Sequence, residues 1–163
     1  MSVRHLRIDN RLVHGQIVVA WLQAIGADTI VVANDGIAAD DFQKTMLVAV
    51  SPPGIRERIL SVDETLAYVK DPAHANEQIL LLVKEPADAL RLHRGGLGLT
   101  TMNVGNMAFV VGAKRVSNTV FASPKDVDAA KALTAEGVNL TCQMMPTVSR
   151  QDFMHLLAKA KLV

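Results

Sequence analysis

Apolar residues along this chain fall into short runs that alternate between two periods. Runs rich in Val, Ile and Leu read as buried strands. Each is followed by a stretch whose apolar positions recur at helical spacing. The first strand covers about Val3–Asp9. Ile17, Val18, Trp21, Leu22 and Ile25 then line one face of a helix over about Gly15–Ala24, with Gly26 as its C-cap. A strand at about Thr29–Ala33 leads to a turn at Asn34-Asp35-Gly36. A helix follows over about Asp40–Ala49, ended by Ser51-Pro52-Pro53-Gly54. A third strand, about Arg56–Leu60, runs into Ser61-Val62-Asp63-Glu64, a capping box opening a helix to about Lys70.

The run Gln78–Val83 is apolar almost throughout, the pattern of a central strand covered on both faces. Pro86 occupies the first turn of the next helix, which Gly95-Gly96 terminates. A strand over about Thr101–Val104 leads into Gly105-Asn106. Ala113–Phe121 has a weaker pattern and reads as an edge strand or a hairpin. Ser123-Pro124 starts a helix with Val127, Ala130 and Leu133 inward, ending near Gly137. A last strand covers about Asn139–Gln143, and Ser149-Arg150-Gln151-Asp152 reads as a second capping box before a helix to about Lys159.

Strands that alternate with helices predict βα units. The expected fold is α/β: an open doubly wound, mostly parallel sheet of about six to seven strands with helices on both faces. The 163 residues suit one domain, 1–163. In such sheets ligands collect beyond the carboxyl ends of the strands. That places Asp9–Gln16, Asn34-Asp35, Ser61, Lys84 and Asn103–Asn106 in the candidate crevice.

Composition narrows the chemistry. The net charge of +1 gives no electrostatic case for nucleic acid or an anionic membrane surface. Cys142 is the only cysteine, so no intrachain disulfide forms and a reducing cytoplasm is the expected compartment. Met1-Ser2-Val3-Arg4-His5 lacks the apolar stretch of a signal peptide, and no apolar run approaches the ~20 residues of a membrane span. The five histidines show no metal-ligand spacing, and no Walker motif is present. Gly95-Gly96-Leu97-Gly98 follows a helix, whereas a dinucleotide fingerprint follows a strand. Neither a metal nor another cofactor is expected.

One loop concentrates reactive groups. In Arg7-Ile8-Asp9-Asn10-Arg11-Leu12-Val13-His14-Gly15-Gln16-Ile17 a strand ends in charged residues and a helix begins just after His14. A neutral imidazole is a good nucleophile and accepts a phosphoryl group. The amides of Gly15, Gln16 and Ile17, at the positive end of the helix dipole, suit the phosphoryl oxygens. Arg11 offers a planar fork to the same oxygens. Asp9 orients the imidazole, braces Arg11, or simply stops the strand as an Asx turn. Asp35, Asn103, Gly105 and Asn106 are candidates for the wall of the site. Lys84 either adds charge near the phosphate or leads into the next helix. Leu12, Val13 and Met107 are candidates for an apolar docking rim. Trp21 reads as a core or interface residue, and Cys142, in a late strand, as buried and inert.

Arg7-Ile8-Asp9-Asn10-Arg11-Leu12-Val13-His14-Gly15-Gln16 resembles the phosphorylation-site loop of the IIB component of bacterial sugar phosphotransferase systems, in the mannose/fructose/sorbose family. Val31-Val32-Ala33-Asn34-Asp35 and Asn103-Val104-Gly105-Asn106-Met107 resemble that family's second strand and its later glycine loop. Asn10 is a departure, since the family often has Asp there. The resemblance implies a protein-phosphohistidine–sugar phosphotransferase. His14 would take a phosphoryl group from the phosphohistidine of a IIA protein and pass it to a sugar entering through the IIC/IID membrane pair. Arg11 would be the phosphate-binding arginine. It implies a cytoplasmic protein held at the inner face of the membrane by IIC/IID, and leaves room for a homodimer. Two other classes stay open on the sequence: a regulatory phosphoprotein that uses the same His14 to signal sugar status, and an α/β binding module with no covalent step.

Overall fold

The computed structural model describes residues 2–163, apart from the side chains of Gln16 and Ile17. Its main sheet is built from β1 (Val3–Asp9), β2 (Thr29–Ala33), β3 (Arg56–Leu60), β4 (Ile79–Val83), β5 (Thr101–Asn106), β8 (Asn139–Cys142) and β9 (Gln151–Asp152). Their order across the sheet is β3-β2-β4-β1-β5-β8-β9. The first six are parallel, and β9 runs antiparallel to β8. Two short strands, β6 (Lys114–Arg115) and β7 (Phe121–Ala122), form a separate antiparallel hairpin. The weak pattern at 113–121 is therefore a hairpin.

Helices cover both faces. On one, α1 (Gly15–Ile25) packs Val18, Trp21 and Leu22 against Ile30, Val32, Leu80 and Leu82. Ile37 of α2 (Asp35–Ala38) and Leu47 of α3 (Asp41–Ala49) extend that layer. The opposite layer is larger. It packs α4 (Val62–Lys70), α5 (Pro86–Arg94), α6 (Pro124–Ala135) and α7 (Phe153–Lys159) against Leu6, Ile8, Val31, Leu81 and Val104. β2 and β4 are buried along their whole length, as expected of parallel strands sandwiched between helix layers.

Local signals account for most helix ends. Ser61 accepts from the Glu64 amide while Glu64 returns a bond to the Ser61 amide, and Ser123 and Asp126 repeat the arrangement at α6. Gly26 adopts φ +64° and closes α1. Two expectations fail. Asn34-Asp35-Gly36 is no simple turn: the Asn34 side chain accepts from the Ile37 amide and nucleates α2. The last helix is capped by Asp152, and the supposed box at 149–152 contributes β9 instead. An added strand competes with a cap for the same backbone, and here Cys142 and Thr141 supply the partner strand.

β1 lies between β4 and β5. The chain leaves β1 into α1 on one face and leaves β4 into α5 on the other. The carboxyl end of β1 is thus a topological switch point, where an open α/β sheet forms a crevice.

Candidate functional site

Asp9 is the last residue of β1 and is fully buried. Three bonds converge on its Oδ2: from Arg7 Nη2 at 2.9 Å, Arg7 Nε at 3.1 Å and His14 Nε2 at 2.9 Å. Oδ1 accepts from the Arg11 amide at 3.0 Å. A carboxylate only accepts, so the imidazole donates from Nε2. His14 Nδ1 is left for other chemistry. The His14 side chain keeps 12% of its surface exposed. It stands at the N-cap of α1 in extended backbone and makes no side-chain capping bond. No acidic residue occupies the first turn, so the positive end of the helix faces this edge without a carboxylate of its own. Gly15 is exposed, with φ +45°, a conformation glycine adopts without strain. The side chains of Gln16 and Ile17 lie outside the described residues; their backbone belongs to the first turn of α1.

The loop between β1 and α1 is held tightly. The Leu12 amide donates to Asp9 O at 2.9 Å, and Leu12 sits at φ +56°. A left-handed branched residue costs about 1–2 kcal/mol, which burial of the Leu12 side chain offsets at about 1.5–3 kcal/mol. Leu12, Val13 and Met107 are each at most 5% exposed, so they anchor the loop and do not form a docking rim. The exposed apolar residues that share a cleft with the loop are others: Met46 on α3, and Val110 and Val111 after β5.

Arg7 is the residue that sequence reasoning missed. It is 1% exposed. Besides Asp9 it donates from Nη1 to Asn103 Oδ1 at 2.8 Å and to Gln143 O at 3.0 Å. Its guanidinium lies 5.5 Å from the Trp21 ring. Burial pushes the Arg7 pKa down and Asp9 draws it back up. A buried cation costs several kcal/mol unless its donors are matched, and here they are matched from β1, β5 and the end of β8. The signal was present in the pattern: His5, Arg7 and Asp9 alternate on one face of a strand that pairs on both sides. A polar face on such a strand announces a buried network. His5 belongs to it, stacked on Trp21 at 4.4 Å, its imidazole held down to about 4 by burial and by Arg7 and Arg150.

Three expected wall residues take other roles. Asn103 is buried and braces Arg7. Gly105 makes space for Arg7: a Cβ there would stand 1.9 Å from the guanidinium carbon. Asp35 accepts from the Val62 amide and pairs with Arg91, which ties α2 to α4 and α5. Asn106 lies nearer the loop and donates to Asn10 Oδ1 at 2.6 Å, where the Ala108 amide also donates.

Asn10 and Lys84 both line two clefts at this end of the sheet. One, of about 220 Å³, is also lined by Arg11, Leu12, Gln43 and Met46. The other, of about 370 Å³, is lined by Met107, Val110, Phe121 and Lys125 among others. Among the described residues no group of three His, Cys, Asp or Glu side chains is placed to hold a metal ion, and no helix is long and apolar enough to cross a membrane. The arrangement is a buried carboxylate orienting an imidazole at a helix N-terminus, with an exposed arginine three residues before it. It can present a nucleophilic nitrogen to an anionic group and bind the anion afterwards.

Residues 3–163 match the family of phosphotransferase-system sorbose-subfamily IIB components. The chain is 37% identical over 159 residues to the mannose-specific EIIAB component of Escherichia coli K12, covering 98% of this chain and 49% of that protein. It is 31% identical over 157 residues to the fructose-specific EIIB component of Bacillus subtilis, covering 96% of each. It thus spans about half the length of the mannose-specific relatives it matches and nearly all of the fructose-specific one. The IIBSor domain of the sorbose permease from Klebsiella pneumoniae superposes with a TM-score of 0.93 at 28% identity, over 98% of both chains.

Proposed function

The chain belongs to the sorbose subfamily of phosphotransferase-system IIB components, and from that membership we propose that His14 carries a phosphoryl group from a IIA protein to a sugar. The observation that carries the reading is the contact of Asp9 Oδ2 with His14 Nε2 at 2.9 Å, which leaves Nδ1 as the acceptor. In the first step Nδ1 attacks the phosphorus held on the donor histidine. The donor P–N bond breaks as the new one forms, and the donor imidazole leaves. His14 keeps its Nε2 proton, and the positive charge that develops on the ring is stabilised by Asp9. Transfer of this kind depends on positioning and on charge stabilisation. Arg11, the Gly15 amide and the amides of Gln16 and Ile17 supply donors for the phosphoryl oxygens.

In the second step a sugar hydroxyl attacks the same phosphorus. The P–N bond to Nδ1 breaks, the hydroxyl loses its proton to solvent, and His14 returns to its neutral form. The sugar is presented by IIC/IID subunits in the membrane, and the protein works from the cytoplasm. Exposed apolar residues on both sides of the loop, Met46 on α3 and Val110 and Val111 beyond β5, suit the two successive partners. The sugar-specific names of the relatives weigh toward uptake over signalling.

The reading is tested by incubating the protein with phosphoenolpyruvate, the general phosphotransferase proteins and a IIA protein. Peptide mass spectrometry should then find an acid-labile phosphoryl group on the His14 peptide and none in His14→Ala. Equal labelling of His14→Ala would refute it.

A further inference from the structure

Lys84 follows β4 directly, and its place in the sheet ties it to the site. Arg7 is level with Leu82 and Ile8 with Val83 in the β1–β4 register. One residue further, Lys84 stands level with Asp9. Neighbours in register on parallel strands project to the same face. Leu80 and Leu82, which precede Lys84 at alternate positions, pack in the layer that holds Leu12, Val13 and Trp21. Lys84 therefore emerges on the His14 side of the sheet. Its side chain is exposed, and it lines the 220 Å³ cleft together with Asn10, Arg11 and Leu12.

The charges around it are otherwise committed. Lys125 reaches Glu85 at 2.9 Å, Arg91 pairs with Asp35, and Lys44 reaches Asp41 at 3.0 Å. Among the described residues neither Lys84 nor Arg11 has an acidic partner within 4.0 Å. Two unpaired cations thus border one cleft, beside the strand end whose Asp9 holds the His14 imidazole. An ammonium on a flexible stem is a mobile point charge, suited to follow a phosphoryl group as it moves, while the Arg11 fork holds it in one orientation.

We propose that Lys84 is a second phosphate-binding cation of this site, contacting the phosphoryl oxygens on His14 opposite Arg11. The proposal rests on the reading of His14 as the phosphoryl acceptor. Bound phosphate would be held from two sides, by Lys84 from β4 and by Arg11 from the β1–α1 loop.

The test uses phosphoramidate, a small-molecule phosphoryl donor that needs no partner protein. Phosphorylated wild type, Lys84→Met and Lys84→Arg are titrated by 31P NMR, with His14→Ala to assign the signal and Lys114→Met as a distant charge control. A cation in contact lowers the pH at which the phosphoryl group takes its proton. In Lys84→Met that midpoint should rise by a few tenths of a unit at low salt. Lys84→Arg should restore it, and Lys114→Met should leave it unmoved. A Lys84→Met midpoint equal to wild type, with the His14 signal intact, overturns the proposal alone. Absence of a His14 signal from wild type, both with phosphoramidate and with phosphoenolpyruvate, the general phosphotransferase proteins and a IIA protein, overturns the acceptor reading and the proposal with it.

Discussion

Asp9 holds His14 by one imidazole nitrogen and Arg7 by two guanidinium nitrogens, all through the single oxygen Oδ2. Orientation of the His14 imidazole and neutralisation of a buried cation are therefore the same interaction, and they cannot be altered separately at this residue.

Replacing Asp9 should show both effects. Asp9→Asn should slow phosphoryl acceptance by about 10- to 100-fold, the usual scale for losing a carboxylate that orients a histidine. Both variants should also destabilise the fold, Asp9→Ala by about 3–5 kcal/mol, because either one leaves Arg7 buried without a counter-charge. Urea unfolding gives the second number and a phosphorylation time course the first. A well-folded Asp9→Ala protein with wild-type stability would mean that Arg7 finds another partner.

Gly105→Ala should be destabilising although a single methyl is added. The Cβ would meet the Arg7 guanidinium at 1.9 to 2.2 Å, with both groups inside the sheet. A loss of about 1–3 kcal/mol or more is expected, as for overpacking elsewhere. Thermal melts decide it: a melting temperature equal to wild type would show that Arg7 can move aside.

How the sequence foreshadows this site depends on the range of each interaction. The loop from Asp9 to Gly15 is local, and its charged residues sit next to a helix start, so His14, Arg11 and Asp9 are identifiable along the chain. The βα order and most strand limits are also local, since period and capping residues set them. Arg7 binds Asn103 and Gln143, 96 and 136 residues away, and no local pattern pairs them. Asn103 and Gly105 lie at the right strand end but serve Arg7 from behind. Asp35 is committed to Val62 and Arg91, both distant in sequence. The exposure of Phe42 and Met46, in place of Leu12 and Val13, reflects how α3 rides on the edge of the sheet, with no buried residue of its own.

His5 makes the fold sensitive to acid. Its pKa is lowered from 6.5 to about 4, so the unfolded chain binds the proton more readily than the folded one. The stability it leaves intact is full above pH 6.5 and is lost as pH falls toward 4. The loss is roughly 3 kcal/mol by the bottom of that window. His5→Phe keeps a ring on Trp21 and removes both the titration and a buried Nε2 that has no partner. Its melting temperature should fall less than that of wild type between pH 7.5 and 4.5. Parallel curves for the two proteins would place the acid sensitivity elsewhere.

Glu57 acts in the opposite direction. Burial raises its pKa from 4.5 to about 7, and neither carboxylate oxygen has a partner. The folded state binds this proton more tightly, so stability declines as pH rises from 4.5 through 7 and stays reduced above. Glu57→Gln should raise the melting temperature at pH 8 and have little effect at pH 4. An equal shift at both values would point to packing and not to ionisation.

Trp21 is the only tryptophan in the chain. It stacks on His5, faces Arg7 and donates from Nε1 to Met144 O at 3.1 Å. Every indole photon the protein emits therefore originates against the buried network beneath His14. Ordinary ultraviolet fluorescence becomes a label-free optical probe of that network, since a proton arriving on His5 or a displacement of Arg7 alters the quenching of a single chromophore.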